Sequence, residues 1–367
     1  MPPHRMTVEQ YGESEDGDEQ DTLMGKFRAH YHGKGLKRET LICTDRISSG
    51  IFMYTLFTGY YVGMIDVIPE IYQKDYPHYV YPLRVALTFC FIQVVANWLC
   101  VRCYETGYFV TRDRPNLRKT LWDEVAIAET AVLDNEHGSH RREGVSGIRT
   151  EQEFVSKEEM NLAWKRCLIC QHDAPPRSHH CRDCRKCILK HDHHCYFVGR
   201  CIGFYNQRYF IVLSFYTGVG SLASFLHVLY YLHSVLPDDM HWYDYAFPYT
   251  FYTWFEGKIT FHNLLLISYC YILWWSGILG LGFFLWEMIL VLTGKTTFEV
   301  RQNLHVVCLS SMREKLRSVF GEFWFFNFIL PLQLLYRQSG DGTEWNDLKI
   351  FNPRGQPLKV VFANKDH

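Results

Sequence analysis

The chain has 367 residues, 48% of them hydrophobic and 16% aromatic, with a formal net charge of −1. Near-neutral charge gives no electrostatic footprint for nucleic acid, and apolar residues gathered into long runs exclude a purely soluble protein. Thirteen cysteines are present, but their C-x-x-C spacings among histidines fit metal ligation in a reducing compartment better than a disulfide framework.

Residues 1–47 are polar, with an acidic run from Glu13 to Asp21 that cannot bury a core and reads as a solvated tail. No basic stretch, apolar run and small-residue cleavage site mark a signal peptide. Ile51 to Val67, extended back over Ile47, and Leu83 to Val101 are of span length, so 48–101 is predicted to hold two transmembrane helices joined as a hairpin. Arg84, at the start of the second, would snorkel to the interface. A polar linker over 102–160 leads into a Cys/His-rich segment within 161–208. Tyr209 to Leu232 and Leu264 to Leu292 are the third and fourth predicted spans, within 209–292. His227 and Glu287 are the ionisable residues inside them. His227 can be buried neutral and Glu287 lies near its helix end, so both read as structural.

Residues 293–367 are largely polar. Leu304, Val307, Cys308, Met312, Leu316 and Phe320 follow an amphipathic pattern that predicts a surface helix. Phe323 to Tyr336 is apolar but short and broken by Pro331, which suits a buried or re-entrant anchor. The rest reads as a tail with turns at Asp341-Gly342 and Asn352-Pro353. No internal repeat or low-complexity array is evident. Lys and Arg number eighteen in 102–208, whereas the loops 68–82 and 233–263 carry only Lys74 and Lys258. The positive-inside rule therefore places both termini and the Cys/His segment in the cytosol, with an endomembrane, Golgi or ER, as the expected location.

The stretch from Cys167 to Cys201 holds seven cysteines and six histidines. Two tetrahedral zinc ions need eight ligands, which six cysteines and two histidines would supply, leaving one cysteine over. Cys167-x-x-Cys170 and Cys181-x-x-Cys184-x-x-Cys187 have the spacing of zinc knuckles, and the residues between are too polar to fold on apolar burial alone. In Asp192-His193-His194-Cys195 a thiol stands near a histidine that can take its proton and an aspartate that can fix the ring's tautomer. In an extended strand His193 and Cys195 share one face while His194 points the other way, toward a zinc. Asp192 would reach His193 through a local turn.

The pattern Pro176-Arg177-x-His179-His180-Cys181-x-x-Cys184-x-x-Cys187-x4-Asp192-His193-His194-Cys195-x5-Cys201-x4-Asn206-x3-Phe210 resembles the cysteine-rich domain of the DHHC family of protein S-acyltransferases (palmitoyltransferases). Four spans with this domain between the second and third, and Thr296-Thr297-Phe298-Glu299 after the fourth, are similar to the same family. The resemblance implies an α-helical integral membrane protein whose cytosolic domain binds two structural zinc ions. It implies one set of Cys167, Cys170, His180 and Cys187 and another of Cys181, Cys184, His194 and Cys201. It also implies a ping-pong reaction in which Cys195 takes a long-chain acyl group from acyl-CoA, usually palmitoyl-CoA, and passes it to membrane-associated proteins with cytosolic cysteines. His193 would be the base and Asp192 its orienting partner, with Thr296, Glu299 and Asn206 bracing the domain.

Burial of the acyl chain among the bilayer's helices would supply binding at about 0.8 kcal/mol per methylene. Arg177, Arg182, Arg185, Lys186, Lys190, Arg200 and Arg208 are the available cations for CoA phosphates. The chain departs from the family's commonest residues at Tyr196-Phe197 (Pro-Trp), Gly199-Arg200 (Asn-Asn) and Lys315 (Asn). Two other readings compete: a zinc-stabilised membrane scaffold without activity, and a RING-like ubiquitin ligase. The intact Asp192, His193 and Cys195 argue against the first, and the ligand spacings against the second.

Overall fold

The computed structural model describes residues 38–108, 162–237, 241–326, 338, 340–345 and 347–350. The chain divides into two units, residues 1–43 and 44–367, and every site residue lies in the second. The expectations for the acidic tail, most of the 102–160 linker, the apolar stretch 327–336 and the Asn352-Pro353 turn fall outside the described residues.

Four helices are long and apolar enough to cross a membrane: Asp45–Tyr72, Pro77–Cys103, Gln207–Val235 and Phe261–Thr293. At 1.5 Å per residue each is about 40–50 Å long, against a hydrocarbon core of ~30 Å. All four therefore outrun the apolar windows read from sequence, because helix formation continues into the flanking polar residues. The first contains a π-turn at Gly63–Val67, and Arg84 donates from Nη2 to the Met64 carbonyl at 3.0 Å, so a backbone oxygen of the widened turn finds a partner. The second begins at Pro77, where a missing N–H costs nothing. Thr260 caps the fourth by accepting from the Asn263 N–H. Its other end closes at Gly294, which has a left-handed φ of 73°. The third and fourth spans approach closely at Gly218 and Gly280, since a Cβ on Gly280 would stand 2.7 Å from the Gly218 nitrogen.

Between the second and third spans the chain forms three two-stranded hairpins. They are β1 (Lys165–Cys167) with β2 (His172–Ala174), β3 (His179–Cys181) with β4 (Lys186–Ile188), and β5 (His193–Cys195) with β6 (Arg200–Ile202). Each strand lies fourteen residues after its counterpart in the preceding hairpin, so the region is an internal repeat, contrary to the sequence reading. Its ligand residues differ from copy to copy, which hides the period. All three turns place a residue at positive φ, Gln171 at 56°, Arg185 at 55° and Gly199 at 68°. Each turn is closed by a bond from that residue's N–H to the carbonyl of Cys167, Cys181 or Cys195.

Past the fourth span the structure departs from the expected amphipathic helix. Val306–Cys308 is a strand, β7, paired with Leu348–Ile350, β8, and within 304–320 only Met312–Phe320 is helical. The β-branched Val306-Val307 pair suits a strand, and Ser311 starts the helix with a capping box to Glu314. Val319 and Phe320 are buried in the cluster that also holds Tyr209, Phe210 and Cys195, so the region carrying Lys315 docks on the same core. The expected polar tail thus includes a paired strand.

Candidate active site and metal centres

The hairpin repeat explains how the Cys/His residues are shared. In the second hairpin His180 pairs across the strands with Cys187, and in the third His194 pairs with Cys201. Cross-strand partners share a face, and the knuckle cysteine one residue after each histidine faces the other way. Each hairpin can therefore offer its knuckle to one site and its His/Cys pair to another. Cys167 and Cys170 meet His180 and Cys187, and Cys181 and Cys184 meet His194 and Cys201, the ligand atoms of each set lying within 4.8 Å of one another. These are the two sets implied by the resemblance. The third knuckle has Cys195 in the place of Cys167 and Cys181, but Val198 in the place of Cys170 and Cys184. Cys195 belongs to neither set.

Both clusters suit a tetrahedral zinc. Zn–S of about 2.3 Å and Zn–N of about 2.0 Å imply ligand–ligand edges of roughly 3.5–3.8 Å. The observed separations are 3.2 and 3.7 Å from His180 Nδ1 to the Cys170 and Cys167 sulfurs. His194 Nδ1 lies 3.4, 3.6 and 3.7 Å from Cys184, Cys201 and Cys181. The donor chemistry agrees. A hydrogen bond from Cys187 holds the Cys167 thiol down to about 3 while Cys187 itself is pushed up. Cys181 is likewise pulled down by Cys184 and Cys201 while Cys201 is pushed up. Crowded thiols thus cannot all ionise unaided, and a divalent cation removes the conflict. Outer partners are in place: Asp45 Oδ1 lies 3.5 Å from His194 Nε2 and His191 Nε2 lies 3.6 Å from the Cys201 sulfur. Sequence reading assigned neither.

On the opposite face of β5, His193 Nδ1 is 2.7 Å from Asp192 Oδ2, so the expected turn does bring the two together. The Asp192 side chain is buried, and its other oxygen accepts from the Thr297 N–H at 2.7 Å. Burial opposes the Asp192 charge, but the hydrogen bonds from His193 and Thr297 outweigh it and hold the carboxyl below its ordinary range. Burial likewise disfavours the His193 imidazolium, yet the Asp192 hydrogen bond, the Cys195 thiol and the Asp192 charge raise it to about 10. Among the described residues no hydrogen-bond partner is found for the buried His193 Nε2, and the Cys195 thiol that acts on the ring follows two residues on, on the same strand face.

The Thr296-Thr297-Phe298-Glu299 turn fastens this arrangement to the fourth span. Thr296 and Glu299 form a capping box, and Glu299 accepts two bonds of 2.7 Å from Arg177 at a fully buried ion pair. Phe298 stacks on His179 at 3.7 Å. Asn206 bonds to Gly203 N and to the carbonyls of Val101 and Cys201, tying the third hairpin to the second span. Arg102 Nη1 holds the Val198 carbonyl at 2.7 Å and Ser49 Oγ holds that of Phe197 at 3.2 Å, so the first two spans grip the turn after Cys195. Gly199 suits that turn, because its φ is left-handed and a Cβ there would lie 3.3 Å from both Arg102 Nη1 and Asp45 Cβ. Tyr196 sets its ring edge-on to His194 at 5.0 Å.

Three of the seven expected phosphate cations are unsuited to that role. Arg177 is spent on Glu299, Lys190 donates to Gln207 Oε1 at 2.9 Å, and Arg208 is buried against Tyr209. Arg182, Arg185, Lys186 and Arg200 keep some exposure. A cavity of about 230 Å³ lies among the four spans. Phe52, Leu56, Val94 and Tyr216 line it and also belong to the packed cluster containing Cys195. His227 and Val228 line it three turns further along the third span, about 17 Å away by helix rise. His227 donates from Nδ1 to the Ala223 carbonyl at 2.8 Å and sets its ring beside Tyr72.

Residues 161–303 match the family model described as DHHC palmitoyltransferase. Among curated proteins the chain is similar to palmitoyltransferase ZDHHC22 of Mus musculus, 32% identical over 166 residues, 43% of this chain and 61% of that protein. It is 31% identical over 193 residues to palmitoyltransferase ZDHHC22 of Danio rerio, covering 49% of this chain and 70% of the relative. The similarity to the probable palmitoyltransferase ZDHHC24 of Rattus norvegicus is 32% over 197 residues, 50% of this chain and 64% of that one. The chain thus spans about six-tenths of the length of the mouse relative.

Proposed function

The chain belongs to the DHHC palmitoyltransferase family, and on that premise we propose that it is a protein S-acyltransferase that works by a ping-pong route through Cys195. The observation that carries the reading is the third knuckle, where one thiol is free of both metal sets and shares a strand face with an Asp192-supported imidazole.

His193 Nε2 takes the Cys195 proton, and the thiolate attacks the carbonyl carbon of a long-chain acyl-CoA thioester. The carbon–sulfur bond to CoA breaks, and His193 returns the proton to the departing CoA sulfur, so that CoA leaves as the thiol and the imidazole is again neutral. A cysteine thiol of a membrane-associated protein then gives its proton to His193 and attacks the acyl-Cys195 thioester. Cys195 recovers its proton as the acylated protein departs. One thioester replaces another, so positioning outweighs driving force. The acyl chain, palmitoyl first among candidates, lies in the cavity between the spans, and CoA phosphates meet the partly exposed Arg182, Arg185, Lys186 and Arg200. Two zinc ions, held by Cys167, Cys170, His180 and Cys187 and by Cys181, Cys184, His194 and Cys201, supply the shape of the hairpins. The zinc domain and both termini face the cytosol, as the Lys and Arg distribution supports, and the membrane is that of the Golgi or ER.

Purified protein given labelled palmitoyl-CoA should form a hydroxylamine-sensitive adduct. Cys195→Ser should abolish it with zinc content unchanged, while Cys187→Ser should lose zinc and fold together. Well-folded wild type that forms no adduct would sink the reading.

A further inference from the structure

Glu287 was expected to be structural, yet it is fully buried in the fourth span and turned toward the dyad. Its Oε2 accepts from Gln207 Nε2 at 3.0 Å, and Gln207 Oε1 accepts from Lys190 Nζ at 2.9 Å. The other oxygen, Oε1, is buried with no hydrogen bond found among the described residues and lies 3.8 Å from His193 Nδ1, and the Glu287 carboxyl also interacts with that of Asp192. Asp192, His193 and Glu287 have their polar atoms within 4.8 Å of one another.

A carboxyl inside a span is costly, and a buried oxygen without a hydrogen bond adds to the cost. A leucine would fill the same place more cheaply, so the carboxyl needs a partner that it serves. Only the Nδ1 edge of His193 stands opposite Oε1 as an ion-pair partner among the described residues. Asp192 holds the ring from the zinc-domain side, with one oxygen on His193 and the other on Thr297, and all three groups are anchored outside the spans. Phe210 and Phe283 flank the imidazole at 5.2 and 6.4 Å and limit its tilt, but an apolar ring face sets no direction within its plane.

We propose that Glu287 is a positioning residue for Cys195 chemistry, a second carboxyl that orients the His193 ring from the fourth span and is itself held by Gln207 and Lys190. The inference rests on the acyl-transfer reading above. Asp192 ties the ring to the zinc domain and Glu287 ties it to the helices that line the cavity. The relay from Lys190 through Gln207 thereby joins the zinc domain, the third span and the fourth at one imidazole. Its consequence is register: the ring, and with it the thiol it serves, keeps one position relative to the acyl cavity.

The test uses the full chain in lipid nanodiscs, labelled palmitoyl-CoA, and the rate of acyl-enzyme formation across substrate concentrations. Glu287→Gln keeps the shape and an acceptor for Gln207 but loses the carboxyl group. Its maximal rate is expected to fall roughly 10- to 100-fold, the size of effect that follows removal of an outer hydrogen-bond partner of a metal-ligating histidine. KM for palmitoyl-CoA should stay within about twofold and both zinc ions should be retained, a split that a merely structural role would not produce. Glu287→Asp should recover part of the rate, and Gln207→Leu should add little to Glu287→Gln because both cut one relay. A wild-type maximal rate in Glu287→Gln, or a loss that appears in KM or zinc content instead, overturns the proposal. Should Glu287→Gln not fold, wild-type rates in both Glu287→Asp and Gln207→Leu overturn it equally. Wild type that forms no adduct overturns the acyl-transfer reading itself, whereas an active wild type matched by Glu287→Gln overturns the role of Glu287 alone.

Discussion

Glu299→Ala strips a buried guanidinium of its counter-charge. Arg177 and Glu299 are 2% and 1% exposed and joined by two bonds of 2.7 Å, and orphaning one member of such a pair costs about 3–5 kcal/mol. The buried Thr296 N–H also loses its Glu299 acceptor, at about 1 kcal/mol, while Thr296 Oγ1 keeps the backbone N–H of residue 299. Arg177 keeps a bond to the Gly294 carbonyl and the face of Trp345 at 4.7 Å, which argues for the lower end, about 4 kcal/mol in all. A typical domain has only about 5–15 kcal/mol to lose. Thermal unfolding of detergent-solubilised protein, followed with a thiol-reactive dye and a zinc indicator, should show the hairpins opening far earlier than in wild type. Acylation should fall even at temperatures where the fold survives, because the same turn presents the Thr297 N–H to Asp192. The apolar double variant Arg177→Met/Glu299→Leu should recover much of the loss, since it leaves no charge unpaired. A shift below about 1 kcal/mol in Glu299→Ala, or a double variant no better than the sum of its singles, would refute the reasoning.

Asp192→Asn keeps an acceptor for Thr297 but removes the charge beside His193, and acyl-enzyme formation should drop on the order of 100-fold with both zinc ions retained. Gly199→Ala should lower the melting temperature, at a cost of about 1–2 kcal/mol for a left-handed φ; Gly199→Asn should be milder, and equal stability of the two would count against strain in that turn. Gly220 lines the cavity, and a Cβ added there meets nothing closer than Cys90 Cβ at 3.8 Å, so Gly220→Leu should take up cavity space. Palmitoyl transfer should therefore fall more than transfer of a short acyl group, with melting unchanged, and equal losses would place the chain elsewhere. Chelation of zinc should unfold the hairpins and expose the buried Cys181, Cys187 and Cys201 to alkylation, whereas unchanged thiol reactivity would separate the fold from the metal.

The eight ligands, the surplus cysteine and the four spans were legible because each is written locally, in knuckle spacings and unbroken apolar runs. The face alternation of His193, His194 and Cys195 was legible for the same reason, since a strand's side chains alternate whatever surrounds it. Asp45, Ser49, Arg102, Gln207 and Glu287 were not: they lie up to about 150 positions from the residues they touch and carry no motif. The fourteen-residue hairpin period was a readable signal that differing ligands concealed, and it alone says why Val198 leaves Cys195 free.

The fate of the cations and of Glu287 was decided by packing. Arg177, Lys190 and Arg208 look like equivalent surface charges in a basic segment, but burial commits each to a partner. Glu287, by its position near a helix end, read as structural. The close approach of the third and fourth spans at Gly218 and Gly280 accompanies its full burial, and a buried carboxyl must have a partner where an exposed one need not. Composition and spacing determined which chemistry this chain carries; only the tertiary structure, by excluding water from particular polar groups, decided which side chains are bound to serve it.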